Sequence, residues 1–148
     1  MSKKDKNILT IFILIGVAII CGTIYFVFYI LNSISEITTI KFESDSIPTI
    51  YSVIGKRKIM SYNSNKVSSN SSFSRETNIV YAKSKTCKSD NGSYAEALLD
   101  MGYFNPEYYG DEYQILVKNS EDKSYIIEIE IVCDSSRLMI NYYKYKEK

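Results

Sequence analysis

The pattern of hydrophobic and polar positions divides the chain into two unlike parts. The stretch Ile8–Leu31 contains no charged residue, and an α-helix of that length would extend about 36 Å. The hydrocarbon core of a bilayer is about 30 Å thick. A helix on the surface of a soluble domain would carry a polar face, which this stretch lacks. The pattern therefore predicts a single transmembrane helix over Ile8–Leu31.

Beyond this stretch, short alternating segments are typical of β-strands. In Tyr125–Cys133 one face contains Ile127, Ile129, Ile131 and Cys133, and the other contains Glu128 and Glu130. Cys133 is therefore predicted to point inward. The segment Asn63–Ser74 is rich in serine and asparagine and is predicted to be a loop. The predicted strands are Thr49–Ile54, Lys58–Tyr62, Thr77–Lys83, Tyr113–Lys118, Tyr125–Cys133 and Leu138–Tyr145.

One short helix is predicted between these strands. Ser93 and Glu96 have the spacing of a capping box, and Gly102 can end a helix in a left-handed conformation. The face expected to pack consists of Tyr94, Ala97, Leu98 and Met101. The predicted fold class is α+β: a transmembrane helix followed by a small, mostly antiparallel sheet of about four to six strands with one short packed helix.

The predicted domain organisation has four parts: a cytoplasmic flank (1–7), the transmembrane helix (8–31), a juxtamembrane stalk (32–47) and the α+β domain (48–148). In the stalk Ile34, Ile37 and Ile40 keep a helical spacing, so the membrane helix is expected to continue for a turn or two before Pro48 stops it.

Charge predicts the orientation of the anchor. The flank before the helix contains three lysines and one aspartate, whereas residues 32–45 contain Lys41 and three acidic residues. Lysine and arginine remain on the cytoplasmic side, so the C-terminal domain is predicted to be extracytoplasmic. A cleaved signal peptide would have a shorter apolar region and a small-x-small site, so a signal-anchor is favoured. The bias toward Ile, Lys, Asn, Ser and Tyr indicates an AT-rich, bacterial genome, and the predicted location is the cell membrane.

The cysteine pattern fits an oxidising compartment. Cys87 and Cys133 are the two cysteines outside the predicted anchor, which itself contains Cys21. An even pair in an extracytoplasmic domain predicts a disulfide bond. The alternative is two free buried thiols.

Composition argues against catalysis. The chain contains no histidine, no G-x-S-x-G motif and no glycine-rich phosphate loop. We therefore expect a protein that is not an enzyme and has no cofactor and no metal site. The residues after Leu31 carry 15 Lys+Arg and 16 Asp+Glu, so no strong field indicates nucleic acid as a partner.

Two clusters are candidate binding surfaces. The first is aromatic and acidic, and rings beside carboxylates suit sugar or peptide ligands; the alternative is a loop that packs its rings onto the sheet. The second is basic and suits an anionic wall polymer or lipid headgroup, if Lys83, Lys85 and Lys88 lie beside it; the alternative is a solvated turn. The candidate residues are Tyr103, Phe104, Tyr108 and Tyr109 in the first cluster and Lys56, Arg57 and Lys58 in the second.

A calcium site at Glu107, Asp111 and Glu112 is a weaker hypothesis, because the EF-hand spacing is absent. The apolar helix followed by a disulfide-bearing α+β domain, with the segment Ala95–Tyr103 as a short helix and turn, resembles the outline of pilin-like proteins. The chain lacks the family's glycine–phenylalanine pair before the apolar run and its glutamate five residues into it.

Three functions are therefore expected, in this order. The first is a membrane-anchored structural or interaction protein in a cell-envelope assembly, with an unknown protein partner or with itself. The second is a binding module for cell-wall polymer or peptide. The third, which the resemblance implies, is a pilin-like or secretion-system subunit.

Overall fold

A computed structural model describes residues 3–34, 37–67, 72–107 and 109–146, with the side chains of the first helix described at 12–27 and 29. The chain divides into two compact units, Met1–Ile34 and Ser35–Lys148. Each unit is described by itself below.

The first unit is a single helix, α1, which extends over Lys3–Ile34. Its described apolar side chains are exposed; Phe12 and Ile19, for example, are 69% and 61% exposed. Among the described residues, no helix has the length and apolarity needed to cross a membrane. The transmembrane helix and the boundaries of flank, anchor and stalk therefore stay predictions.

The second unit is an α+β domain, which confirms the predicted fold class at this level. Its elements are β1 (Thr39–Phe42), β2 (Asp45–Pro48), α2 (Ile50–Val53), β3 (Ile59–Lys66), β4 (Phe73–Tyr81), α3 (Cys87–Asp100), β5 (Tyr113–Asn119), β6 (Tyr125–Asp134) and β7 (Arg137–Lys146). The strands β1 and β2 form a hairpin, and the other five form an antiparallel sheet in the order β3-β4-β7-β6-β5.

The core lies on one face of the five-stranded sheet, where α3 packs against β5, β6 and β7. In β6 the predicted inward residues Ile127, Ile129, Ile131 and Cys133 are buried, which confirms the alternation read from the sequence. In β5 the buried residues are Gln114 and Leu116. Gln114 is tolerated there because its amide donates to the side-chain oxygen of Asn91 on α3, at 3.3 Å.

The helix α1 continues three residues past Leu31, to Ile34, and the segment from Thr39 to Ile47, which was predicted to be stalk, belongs to the hairpin of β1 and β2. Ile40, Phe42 and Ile47 alternate along this hairpin and are buried, so burial in the core outweighs the helical spacing of the isoleucines. The strand predicted over Thr49–Ile54 is wrong. That segment contains the single-turn helix α2, which is buried at Ile50.

The predicted capping box is wrong, because α3 begins at Cys87 and Ser93 lies exposed in its interior. The face of α3 that packs consists of Cys87, Asp90, Asn91, Tyr94, Ala95 and Leu98, whereas Met101 is 44% exposed. The predicted stop is confirmed. Gly102 has a φ of +85°, and the amides of Gly102 and Tyr103 bond the carbonyls of Leu99 and Leu98 in a Schellman arrangement.

The predicted loop Asn63–Ser74 is shorter than expected. Residues 68–71 lie outside the described part of the chain, but β3 extends to Lys66 and β4 begins at Phe73. Polar cross-strand pairs replace apolar ones here: the hydroxyls of Ser64 and Thr77 are 2.9 Å apart. Such pairs stabilise a sheet without the β-branched pattern that predicts strands.

Candidate functional site

The aromatic–acidic segment divides between the core and the surface. Tyr103 is only 7% exposed, and the ammonium of Lys118 lies 5.4 Å from the centre of its ring. Phe104 is 54% exposed and exchanges two backbone hydrogen bonds with Val117 at the edge of β5. Tyr108 lies outside the described residues. The tucked-in alternative is therefore realised at Tyr103, while Phe104 offers its ring to solvent.

Tyr109 is the second exposed ring of this segment, at 53%. Its hydroxyl donates to the Glu107 carboxylate, which raises the pKa of Tyr109, and its ring centre lies 5.2 Å from that of Tyr113. A groove of about 340 Å³ lies between α3 and this segment. Its lining includes Glu96, Leu99, Asn105 and Asp111.

The two basic segments are neighbours, which is the condition that the sequence set for a shared basic patch. The amide of Ala82 donates to the carbonyl of Lys58 at 2.8 Å, which places the turn before β3 next to the turn after β4. Arg57 is not available to an anionic ligand, because its guanidinium binds Asp90 with two hydrogen bonds of 2.8 and 2.9 Å. This pair raises the pKa of Arg57 and lowers that of Asp90. The exposed cations at this end are Lys56, Lys58, Lys83 and Lys85.

The predicted disulfide between Cys87 and Cys133 is confirmed, and it joins the first residue of α3 to β6 with a Cα–Cα distance of 5.9 Å. An open groove of about 490 Å³ lies beside it. Lys88 and Glu112 form an ion pair of 2.6 Å in its lining, and this pair raises the pKa of Lys88. The groove carries charges of both signs, so it favours no single class of ion.

The described residues contain no group of three or more His, Cys, Asp or Glu side chains that could hold a metal ion. Of the three residues of the calcium hypothesis, Glu112 forms an ion pair with Lys88, and Glu107 accepts a hydrogen bond from the Tyr109 hydroxyl. Asn91 donates to the backbone carbonyl of Asp111 at 3.0 Å. The structure does not bring the three carboxylates together as a centre.

A network that the sequence did not predict covers the other side of the sheet. We call this side the outward face: the positions of β4, β5, β6 and β7 that alternate with the buried ones. At its centre Glu130 accepts from the Tyr113 hydroxyl at 2.9 Å, from the Asn141 amide at 2.6 Å and from the Tyr143 hydroxyl at 3.3 Å. Asn78 donates in turn to Asn141. The network therefore joins all four strands.

Aromatic rings adjoin this network. Phe73 lies with its ring centre 5.2 Å from Tyr143 and 6.0 Å from Tyr145, both in edge-on geometry. The Tyr145 hydroxyl donates to Glu128 at 3.1 Å. Partial burial is the main cause that raises the pKa of Tyr113 to about 12 and of Tyr145 to about 12, with the neighbouring carboxylates acting in the same direction. These phenols therefore stay protonated donors at neutral pH.

A signal for the outward face is present in the sequence. The glutamates of Tyr125–Cys133 alternate with its isoleucines, and Asn141, Tyr143 and Tyr145 alternate with the buried residues of β7. The strand order, which places β7 between β4 and β6, cannot be inferred from this pattern. Only that order brings Glu130, Asn141 and Asn78 into one row.

Comparisons with protein-family models, with curated proteins and with solved structures find no match to this chain.

Proposed function

We propose that this chain is a membrane-anchored, extracytoplasmic interaction protein that serves as a subunit or accessory of a cell-envelope assembly. The observation that carries the proposal is the disulfide between Cys87 and Cys133. Stable disulfides belong to oxidising compartments, so the bond supports a domain outside the cytoplasm.

The anchor is supported by the sequence and by the shape of the first unit. The uncharged stretch Ile8–Leu31 lies entirely within the helix α1, and it is longer than the run 12–27 whose side chains are described. The apolar side chains described there are more than half exposed at Phe12, Leu14 and Phe26. A water-exposed apolar surface of this kind is costly, and lipid would remove that cost. The lysine-rich flank orients the helix with its N-terminus inside.

The interaction role rests on what the domain's chemistry offers. The chain has no histidine. Asp90, Glu112 and Glu43 form ion pairs, and Glu128 and Glu130 accept hydrogen bonds from tyrosine hydroxyls. The exposed surface instead presents aromatic rings and polar networks, which suit recognition of a partner more than a reaction.

Thiol labelling in intact cells tests the topology. In a Cys21→Ala background, Glu96→Cys places a thiol on the exposed side of α3, and Lys4→Cys places one in the flank. A membrane-impermeant maleimide should label the first in intact cells and the second only after lysis. The reverse pattern would overturn the proposed orientation, and labelling of both would overturn the anchor.

Cross-linking in intact cells tests the role. One dominant protein attached to the domain supports an assembly subunit, and a dominant homo-oligomer supports the pilin-like form of that role. Recovery of the chain with wall polymer alone would overturn the proposal in favour of a wall-binding module.

That second candidate is favoured by one observation, the two exposed rings of Phe104 and Tyr109. Sugar rings stack on such surfaces. The full-length protein in detergent should sediment with purified cell wall, and Phe104→Ser with Tyr109→Ser should abolish sedimentation. Met60→Ser with Tyr62→Ser, which removes two exposed side chains from β3, is the matched control. Equal sedimentation of both double variants would contradict this candidate.

A further inference from the structure

The outward face holds half-buried carboxylates that have no cation beside them. At its positions within 76–80, 113–117, 126–132 and 139–145 the charged side chains are Glu76, Glu128 and Glu130. Among the described residues, Glu128 and Glu130 accept hydrogen bonds from neutral donors, which are tyrosine hydroxyls and an asparagine amide. Neutral donors orient a carboxylate and leave its charge uncompensated.

Elsewhere in the same domain, carboxylates lie beside cations. Asp90 binds Arg57, Glu112 binds Lys88, and Glu43 binds Lys144. Lys144 belongs to β7 but points to the opposite side of the sheet, where its ammonium lies 4.2 Å from the centre of the Tyr125 ring. Within residues 139–145, β7 thus directs its cation away from the outward face, and Arg137 lies opposite Asp134 at the end of the sheet, six residues along β7 from Tyr143.

Tyr143 lies between two of these carboxylates. The sheet register pairs Tyr143 with Glu76 of β4 on one side and with Glu128 of β6 on the other. Side chains directly opposite each other on neighbouring strands have Cβ atoms about 5 Å apart. Phe73 and Tyr145 flank the same ring, with centres 5.2 and 6.3 Å from that of Tyr143. One phenol ring is therefore bordered by two carboxylates and two further aromatic rings.

This arrangement has the chemistry of a site for an organic cation. An ammonium or guanidinium group is attracted to the face of an aromatic ring within about 6 Å, and adjacent carboxylates add charge-assisted hydrogen bonds. The face is also wide, because it extends over four strands. A wide sheet face suits several cations carried by an extended chain better than one small enclosed ligand.

We propose that the outward face around Tyr143 binds lysine or arginine side chains of an extended, basic segment of a partner protein. The inference rests on the proposed function, since it names the chemistry of the partner that an interaction subunit would need. Glu76 and Glu128 supply the charge, the rings of Tyr143, Phe73 and Tyr145 supply the stacking surface, and Glu130 holds Tyr113 and Tyr143 in place.

The test uses the full-length protein in detergent and a fluorescent peptide of alternating lysine and glycine. We expect saturable binding by fluorescence anisotropy that weakens as salt is raised, and no binding of the matching glutamate–glycine peptide. Glu76→Gln with Glu128→Gln should lower the affinity about tenfold. Glu96→Gln with Glu121→Gln, which removes the same charge from exposed positions elsewhere, should change it less than about twofold.

A second pair of variants separates the ring from the charge. Tyr143→Phe keeps the ring and should retain most of the binding, whereas Tyr143→Ser should lose it. Absence of binding to the wild-type protein, or equal losses in the two glutamine double variants, would overturn the proposal. Peptide binding is measured on protein in detergent, so its result does not depend on how the chain is oriented in the membrane. The peptide assay and the thiol labelling therefore test separate claims. Binding with reversed topology would retain the cation site and reject the extracytoplasmic role; correct topology without binding would reject only the cation site.

Discussion

Arg57 and Asp90 are 33 residues apart in sequence, yet the guanidinium of the first holds both carboxylate oxygens of the second. The Asp90 side chain is 7% exposed and that of Arg57 is 30% exposed. Arg57→Ala would leave a nearly buried carboxylate without its cation, so we expect it to lower the free energy of unfolding by about 2 kcal/mol. Urea denaturation measures the change. Lys85→Ala, at an exposed site of the same surface, should cost less than about 0.5 kcal/mol.

The same pair predicts a dependence on pH. The hydrogen bond from Arg57 is the main cause that lowers the pKa of Asp90 below its usual value of 3.8. A carboxyl with a depressed pKa stabilises the fold above its unfolded pKa, and this contribution disappears as pH falls through the folded pKa. Wild-type stability should therefore fall between about pH 5 and pH 2, and Asp90→Asn should show a smaller fall. Asp100→Asn, at the exposed end of α3, should follow the wild type; parallel curves for all three proteins would contradict the role of Asp90.

The disulfide predicts a large response to reduction. It closes a separation of 46 residues, and the chain-entropy model gives about 3–4 kcal/mol for such a loop. Cys87→Ser with Cys133→Ser should lower the urea midpoint accordingly, and a reductant should shift the wild type by a similar amount. Cys21→Ser should respond to reductant as the wild type does. If the double variant unfolded at the wild-type midpoint, the bond would be dispensable for stability.

Buried tyrosine hydroxyls provide a matched comparison. The Tyr94 hydroxyl donates to the Pro48 carbonyl at 2.6 Å and lies 3.0 Å from the Tyr142 hydroxyl. The buried Tyr81 hydroxyl has no hydrogen-bond partner among the described residues. Tyr94→Phe leaves polar groups unpaired and should cost about 1–2 kcal/mol, whereas Tyr81→Phe should be neutral or stabilising. Thermal unfolding of both variants decides the matter, and an equal loss in the two would contradict the hydrogen-bond assignment.

Replacement by alanine should change the stability in opposite directions at two glycines, one within α3 and one just after its end. Gly102 has a φ of +85°, which an alanine adopts only with strain, so Gly102→Ala should destabilise by about 1 kcal/mol. Gly92 lies within the helix, and a Cβ there would meet nothing within 4 Å. Gly92→Ala should therefore stabilise by about 0.4–1 kcal/mol. Stabilisation by both changes would contradict the left-handed stop at Gly102.

The sheet was predictable where one face is apolar and the other charged. Tyr125–Cys133 shows this alternation, and β6 follows it residue by residue. The hairpin of β1 and β2 was not predictable, because Ile34, Ile37 and Ile40 repeat with a helical spacing. Only the burial of Ile40 and Ile47 in the core selects the hairpin. Local pattern therefore fails where tertiary contacts select the conformation.

The start of α3 was missed for a related reason. Thr86, at the N-cap position, is a favoured capping residue type, but its hydroxyl donates to the Asp90 carboxylate and makes no bond to the helix backbone. The disulfide and the bond between Arg57 and Asp90 hold the first turn instead. Both depend on residues distant in sequence. The basic cluster shows the same limit. Its Arg57 binds Asp90, which is 33 residues away, and the local sequence does not indicate this pairing.

The largest fully buried side chains of this domain are tyrosines, namely Tyr94, Tyr125 and Tyr142. Burial raises the pKa of Tyr94 and Tyr142 well above the ordinary 10. A phenol that cannot ionise while it is packed can lose its proton only after the interior opens, so alkali should withdraw stability as pH rises past 10. After a jump to alkaline pH, the buried tyrosines should therefore gain phenolate absorbance later than the exposed ones. The rate of this late phase reports how fast the interior opens, and it needs no added label.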